Sequence, residues 1–227
     1  MKKLGLVGGT GPESTLVYYK EINKRVDSLH NGVFPEIAIE SLNLYKALEL
    51  VARERYDDLA EYILESINNL EQSGAEIVAL TAGTMHVVYD LIKDKVHVPF
   101  ISIPTTVAEY AETKMYKKVG LLGTIFTMEK DYLSKAFKDK GIEVIVPDRD
   151  ARILVNEIIS KELEYGIVKE ESVKKLINAI QDMVNKNEIE AVILGCTELP
   201  LAINGGNCPV DCLDIMEIHI QKLVEMI

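Results

Sequence analysis

No apolar run in these 227 residues reaches the roughly 20 residues that a bilayer-crossing helix needs. Met1-Lys-Lys leads straight into a strand-like segment, not into the apolar stretch of a secretory signal, so a cytoplasmic location is expected. Basic blocks are missing as well. Against 36 acidic residues stand 25 basic ones, a net charge of −11. That balance argues against nucleic acid and anionic membrane surfaces as partners, and it also serves solubility. Cysteine is scarce: there are three, at positions 196, 208 and 212. An odd number, all late in the chain, excludes a disulfide framework as the basis of the fold. Cys208 and Cys212 lie four residues apart, but no histidine pair accompanies them, so they read as small, partly buried residues and not as a zinc site. Neither G-x-G-x-x-G nor G-x-x-x-x-G-K-[ST] occurs, which removes the usual dinucleotide and P-loop signatures. No metal-ligand cluster and no lysine in a pyridoxal-phosphate context is recognisable. Neither a cofactor nor a metal is expected.

What is present is a duplication. Ala191-Val-Ile-Leu-Gly-Cys196-Thr-Glu198 echoes Ile77-Val-Ala-Leu-Thr81-Ala82-Gly83-Thr84, with Glu76 matching Glu190, Val78 matching Val192 and Ala82 matching Cys196, 114 residues apart. Lys2-Lys-Leu-Gly-Leu-Val-Gly8 likewise matches Lys117-Lys-Val-Gly-Leu-Leu-Gly123, at an offset of 115. Two independent pairs at nearly one offset indicate a repeated unit. Each of these apolar runs is long enough for a buried strand and stops in small or hydroxylic residues.

Along the chain, strand-like and helix-like segments alternate. Strands are expected at Lys3–Val7, Glu36–Ser41, Ile77–Leu80, Val98–Ile103, Val119–Leu122, Glu143–Val146, the run ending before Cys196, and Val210-Asp211. Helices are expected at Ser14–Arg25, Asp57–Ser73, Met85–Lys93, Thr105–Met115, Glu129–Lys140, Arg149–Glu164, Glu171–Asn185 and Ile215–Ile227. Leu42-Asn-Leu-Tyr45-Lys46 is left as the exit of the second strand. The alternation predicts an α/β protein of two pseudo-symmetric lobes, each a parallel sheet flanked by helices. The first lobe takes residues 1–104 and 213–227, the second 105–212. Ligands of such sheets bind beyond the carboxyl ends of the strands. That rule gathers Gly8 to Thr10 (Gly9 and Thr10 among them), Thr81 to Thr84, Thr124 to Thr127, and Cys196 with Thr197 around an active site in an interlobe crevice.

The Gly8-Gly-Thr-Gly-Pro12 opening, Thr84-Met-His86 and Gly195-Cys-Thr-Glu198 together resemble the aspartate/glutamate racemase family over nearly the whole chain. The resemblance implies two pseudo-symmetric α/β lobes, no cofactor, a homodimer, and a small-molecule amino-acid substrate. It also implies a cysteine at the matching strand end of each lobe, one removing the α-proton and the other returning it. Here the chain departs, because Ala82 stands at the first-lobe position and only Cys196 remains.

Removing an amino-acid α-proton without pyridoxal phosphate needs a base at the Cα–H and donors for the charge that builds on the carboxylate. Cys196 is expected to open a helix whose N-terminus lowers its pKa and makes a thiolate available. Glu198 either orients the thiol or is simply a first-turn carboxylate. With Ala82 unable to exchange protons, Thr81, Thr84, Glu13 or a bound water are the substitutes. The catalytic set is therefore Cys196, Thr84 and Glu198. The substrate-binding set is Gly9, Thr10, Thr81, Ala82, Gly83, Thr84, Thr124, Thr127, Thr197 and Glu164. His86 reads as structural, since it falls inside a first helical turn.

Aspartate-specific relatives carry an arginine after the second strand and a lysine before the turn near Gly166. This chain has Tyr45 and Lys46 after the second strand, and spacing from Cys196 puts Glu164 at the lysine position. A buried, unpaired carboxylate there disfavours an acidic substrate side chain and admits neutral or basic ones. Three readings stay open: an amino-acid racemase or epimerase using Cys196, a single-cysteine decarboxylase or isomerase resembling arylmalonate decarboxylases, and an inactive amino-acid-binding protein.

Overall fold

The computed structural model describes residues 1–227. They form two compact units, Met1–Thr106 with His219–Ile227, and Val107–Ile218.

The first unit holds β1 (Leu4–Gly8), α1 (Pro12–His30), β2 (Ile37–Ser41), α2 (Leu44–Ala52), α3 (Tyr56–Gln72), β3 (Ile77–Leu80), α4 (Tyr89–Ile92) and β4 (Phe100–Ile101). The four strands are all parallel, in the order β2-β1-β3-β4. The two central strands are buried along their whole length, which is why both read as unbroken apolar runs. Ile63, Ile67 and Leu70 of α3 are buried too. Gly5 has a steric reason to lack a side chain, since a Cβ there would stand 3.0 Å from Ala75 Cβ and 3.1 Å from Leu70 Cβ.

The second unit repeats the scheme. After α5 (Ile103–Thr113), which begins in the first unit, come β5 (Lys118–Leu122), α6 (Ile125–Glu129), α7 (Ser134–Asp139), β6 (Glu143–Ile145), α8 (Arg149–Lys161), α9 (Glu170–Asn187), β7 (Ala191–Leu194) and β8 (Asp211–Asp214). α10 (Ile215–Met226) then leads back to the first unit. The sheet order is β6-β5-β7-β8, again all parallel, with Val119 opposite Ala191 and Ala191 opposite Asp211. The sequence repeat is therefore a repeat of topology, and the α/β architecture of two helix-flanked parallel sheets is observed.

The units also share a device at the amino ends of their strands. Glu76 Oε1 accepts from Lys3 N–H at 3.1 Å. Glu190 Oε2, its counterpart, accepts from the N–H groups of Lys117 at 2.5 Å and Lys118 at 3.0 Å. These amide bonds hold the Glu190 carboxyl below its ordinary pKa.

Several elements differ from the sequence expectation. α2 begins on the segment expected as a strand exit: Asn43 Oδ1 caps it by accepting from Lys46 N–H, and Ala47, Leu50 and Val51 bury one face. The helix expected over Met85–Lys93 is a 3-10 helix, Gly83–Val88, followed by short α4. His86 takes the carbonyls of Ala82 and Gly83 through its own ring nitrogen, in competition with regular helical bonds. The expected Glu129–Lys140 helix is broken into α6 and α7. The expected Val98–Ile103 strand shrinks to two residues. No helix is long and apolar enough to cross a membrane.

Two buried histidines fix the first unit internally. His219 Nε2–H donates to Ile101 O at 3.0 Å, so its Nδ1 accepts the Tyr18 hydroxyl at 2.7 Å, tying α10 to β4 and α1. Burial pushes His219 down to about 3 and His86 down to about 4, against 6.5 for a free histidine. Both are neutral when folded. Their contribution is complete above pH 6.5; below it the unfolded chain takes up protons that the folded chain refuses, and stability is lost toward pH 4. Each histidine costs about 1.4 kcal/mol per pH unit in that window. Urea midpoints measured between pH 7 and 5.5, above the range where most carboxylates titrate, should fall steeply, and His219→Gln should flatten the slope. A midpoint independent of pH over that interval would contradict the assignment.

Candidate active site

The carboxyl edge of each sheet carries the residues singled out in the sequence. In the first unit β1 and β3 are neighbours, so Gly9-Thr10 and Thr81–Thr84 leave the sheet side by side. Gly9 has φ +84°, and a Cβ there would lie 2.4 Å from Leu42 O, so only glycine fits. Gly8 is equally constrained, because a Cβ would stand 2.4 Å from Thr15 Cγ2.

Thr15, not foreseen as a site residue, joins these turns. Its Oγ1 accepts from Gly9 N–H at 3.1 Å, donates to Gly11 O at 3.0 Å and meets Thr81 Oγ1 at 3.1 Å. The available signal was a hydroxyl in the first turn of a helix after a glycine-rich loop. Thr81 is fully buried, with its hydroxyl also directed at Val7 O, so it serves the framework and is not a free proton donor. Thr10 and Thr84 are half-buried and their hydroxyls bond to no protein group, and Glu13 is exposed on α1. Ala82 is buried. His86 shares its Nδ1–H between Ala82 O and Gly83 O, each at 3.1 Å, and its Nε2 accepts from Ile103 N–H at 3.1 Å. Both nitrogens are engaged within the fold, as a structural histidine requires.

In the second unit β5 and β7 are neighbours, which brings Thr124–Thr127 beside Gly195–Glu198. Thr124 Oγ1 caps α6 by accepting from Thr127 N–H. Thr127 is buried, with its hydroxyl 3.0 Å from Tyr132 Oη and 3.1 Å from Thr124 Oγ1. Asn156, also not foreseen, accepts from Ile125 N–H at 2.9 Å and fixes the start of α6. A Cβ on Gly195 would stand 2.9 Å from Leu122 O and 3.1 Å from Thr127 Cγ2. Glycine at this strand end thus lets Cys196 follow in close packing.

Cys196 is partly buried. Its Sγ donates to Glu198 Oε2 at 2.7 Å, while Thr197 Oγ1 donates to Glu198 Oε1 at 2.8 Å. Both oxygens of one carboxyl thus accept from its two preceding neighbours. The expected helix after Cys196 is absent: only a 3-10 turn, Leu199–Leu201, follows. Pro200, which has no N–H to donate, sits in that turn. No macrodipole therefore draws a proton off the sulfur. Burial pushes the thiol well above its ordinary range, the charge and hydrogen bond of Glu198 add to this, Glu198 N–H opposes it, and the Glu164 charge raises it further. The resting group is a thiol hydrogen-bonded to a carboxyl, not a thiolate.

Glu164 lies in a 3-10 turn after α8 and is exposed, which corrects the expectation of a buried carboxylate. Its pKa is raised by partial burial and by the charge of Glu198, and no cation is paired with it. No group of three or more His, Cys, Asp or Glu side chains is placed to hold a metal ion.

The profile of the Asp/Glu/Hydantoin racemase family matches residues 7–223. The broad specificity amino-acid racemase RacX of Bacillus subtilis (strain 168) is 23% identical over 215 residues, spanning 93% of this chain and 92% of RacX. Among solved structures, an aspartate racemase homologue from Pyrococcus horikoshii OT3 is 38% identical with a TM-score of 0.88, covering 100% of this chain and 99% of that one. A candidate Asp/Glu racemase from Yersinia pestis gives 32% identity and a TM-score of 0.94, covering 100% and 99%. The chain belongs to the Asp/Glu/Hydantoin racemase family, and it is an isomerase of the amino-acid racemase group.

The Cys196–Glu198 pair makes a direct prediction. Glu198→Gln removes the charge that holds the thiol up, so the pH midpoint for iodoacetamide alkylation of Cys196, followed by mass spectrometry, should move to lower pH. An unchanged midpoint would mean that Glu198 does not govern the thiol.

Proposed function

We propose that the chain is a cofactor-independent amino-acid racemase or epimerase in which Cys196 exchanges the α-proton and Glu198 takes the thiol proton. The observation that carries this reading is the 2.7 Å Sγ–H···Oε2 bond at the end of β7. Proton removal runs in one balanced relay: Sγ–H passes its proton to Glu198, the sulfur takes the proton from Cα, and the Cα–H electron pair stays on the substrate as a carbanion delocalised into its carboxylate. Running the relay backwards returns a proton to Cα. A carboxyl-assisted thiol supplies the general-base function that no helix terminus provides here, at a typical value of roughly 10²–10⁴ in rate. Thr10 and Thr84, with unengaged hydroxyls, are the proposed donors to the substrate carboxylate in the first unit. Thr84 or a bound water is the proposed proton source for the other stereochemical face.

The charges registering on Cys196 are those of Glu198 and Glu164, both negative. An acidic substrate side chain near them meets repulsion of about 1 kcal/mol or more per close pair, depending on solvent access. Neutral and basic amino acids are therefore the proposed substrates. Monitoring solvent-deuterium entry at Cα across a panel of amino acids tests both points. Exchange should be found with neutral or basic members, survive a chelator, need no added pyridoxal phosphate, vanish in Cys196→Ala, and largely persist in Cys208→Ala and Cys212→Ala. Exchange retained by Cys196→Ala would remove the thiol from the chemistry. Release of CO₂ from a malonate-type substrate without exchange would move the chain to the decarboxylase reading, and binding with neither would leave it a sensor.

The position paired with Cys196 in the repeat is Ala82. Ala82→Cys restores the second thiol that the resemblance implies, and a threonine hydroxyl or water is a far weaker acid than a thiol. Racemisation measured by polarimetry should therefore rise in Ala82→Cys. A folded variant with unchanged rate and stereochemistry would show that residue 82 does not face the reacting carbon.

A homodimer is the proposed assembly. Multi-angle light scattering should give about twice the 25.4 kDa of the chain, and a monomer mass at all concentrations would refute it.

A further inference from the structure

Cys196, Thr197 and Glu198 are consecutive, and consecutive side chains of regular structure point in different directions. Here the chain turns as soon as it leaves β7: Leu199 N–H donates to Cys196 O at 3.2 Å, and Leu201 N–H to Glu198 O at 3.1 Å. The turn lets the Glu198 side chain fold back over its two predecessors. Its Oε2 accepts from Cys196 Sγ at 2.7 Å, and its Oε1 accepts from Thr197 Oγ1 at 2.8 Å. A hydroxyl has one proton to donate. That of Thr197 is spent on Glu198 and is not available to a substrate carboxylate. The repeat supplies a contrast. The counterparts of Cys196, Thr197 and Glu198, 114 residues earlier, are Ala82, Gly83 and Thr84. The carboxyl, and the hydroxyl that holds it, thus stand in the unit that keeps the thiol.

We propose that Thr197 is a positioning residue, whose hydroxyl fixes the Glu198 carboxyl so that Oε2 stays against the Cys196 sulfur. The assignment rests on the thiol–carboxyl relay proposed above, and it replaces the expected role of Thr197 as a contact to substrate. A glutamate side chain turns about several single bonds, and the last of them is the least restricted. One hydrogen bond, at Oε2, leaves the carboxyl plane free to swing. A second, at Oε1, fixes that plane and decides which oxygen faces the sulfur. Proton transfer from Sγ requires the acceptor within roughly 2.6–3.2 Å. Without the Thr197 tether Oε2 leaves that range for part of the time, and the relay stops while it is away. The Thr197 proton itself stays on Oγ1 throughout, so only the thiol proton and the Cα proton move.

The first test needs no substrate. In the full-length protein, the pH midpoint for iodoacetamide alkylation of Cys196, read by mass spectrometry of its peptide, should move to lower pH in Thr197→Val. The shift should run in the direction of Glu198→Gln but be smaller, because the carboxylate then spends part of its time away from the sulfur. The other charge felt at Cys196, that of Glu164, is the same in every variant. Thr197→Ser keeps the hydroxyl and should hold the midpoint of the unaltered protein, while Thr197→Ala should shift it as Thr197→Val does. In a Glu198→Gln background Thr197→Val should add no further shift, since both changes cut one interaction. With the amino acid that exchanges fastest in the panel, Thr197→Val should lower kcat by up to about 10²-fold, the low end of an acid–base contribution, and leave KM largely in place. A midpoint unmoved or raised in both Thr197→Val and Thr197→Ala, an equal shift in the two backgrounds, or a raised KM at unchanged kcat would each overturn the assignment. Exchange that survives Cys196→Ala would instead remove the racemase relay, while the alkylation cycle still decides whether Thr197 holds Glu198.

Discussion

The close approach at the strand ends is the constraint on which the rest depends. Gly8 packs against Thr15, and Gly195 against Leu122 O and Thr127, at distances that leave no room for a Cβ. Four central strands, β1 and β3 in one sheet and β5 and β7 in the other, are almost entirely buried. Their apolar runs therefore have to stop where the backbone turns, and small or hydroxylic residues take over there. Chemistry follows from that stop. A parallel sheet presents all its carboxyl ends on one edge, so the residues after neighbouring strands are close whatever their distance in sequence.

Within the second unit this geometry sets a thiol against a carboxyl. A cysteine expected to be activated by a helix terminus is followed instead by a single 3-10 turn with a proline in it. Glu198 then raises the cost of a thiolate. The first unit uses the equivalent positions differently: Thr81 and His86 are consumed in holding loops, and Ala82 carries no proton. The duplicated topology thus carries different side chains at its equivalent strand ends.

Much of this was legible in the sequence. The repeat of Lys2–Gly8 at Lys117–Gly123 and of Ile77–Thr84 at Ala191–Glu198 gave the two sheets, because central strands write themselves as uninterrupted apolar runs. Asn43 and the spacing of Ala47, Leu50 and Val51 are helix signals, yet the segment was expected only as the exit of the second strand. Local competition was not legible. His86 diverting two carbonyls, and the direct bond from Cys196 to Glu198, depend on side-chain directions that spacing does not carry. Thr15 and Asn156 escaped for a related reason: each bonds to a segment distant in sequence, Thr15 to Thr81 and Asn156 to Ile125. Glu164 was expected as a buried carboxylate, whereas the turn ending at Gly166 leaves it at the surface.

The central claim is that one thiol exchanges the α-proton and that the opposite face relies on a weaker acid. Its most direct measurement follows deuterium entry and inversion together, starting from each pure enantiomer of a substrate in deuterium oxide. The account predicts unequal behaviour: the enantiomer whose Cα–H meets Cys196 takes up deuterium faster than it inverts, because the thiol relay returns a solvent proton to the same face. If both enantiomers exchange only as they invert, at matching rates, two equivalent acids are at work and the single-thiol account is contradicted.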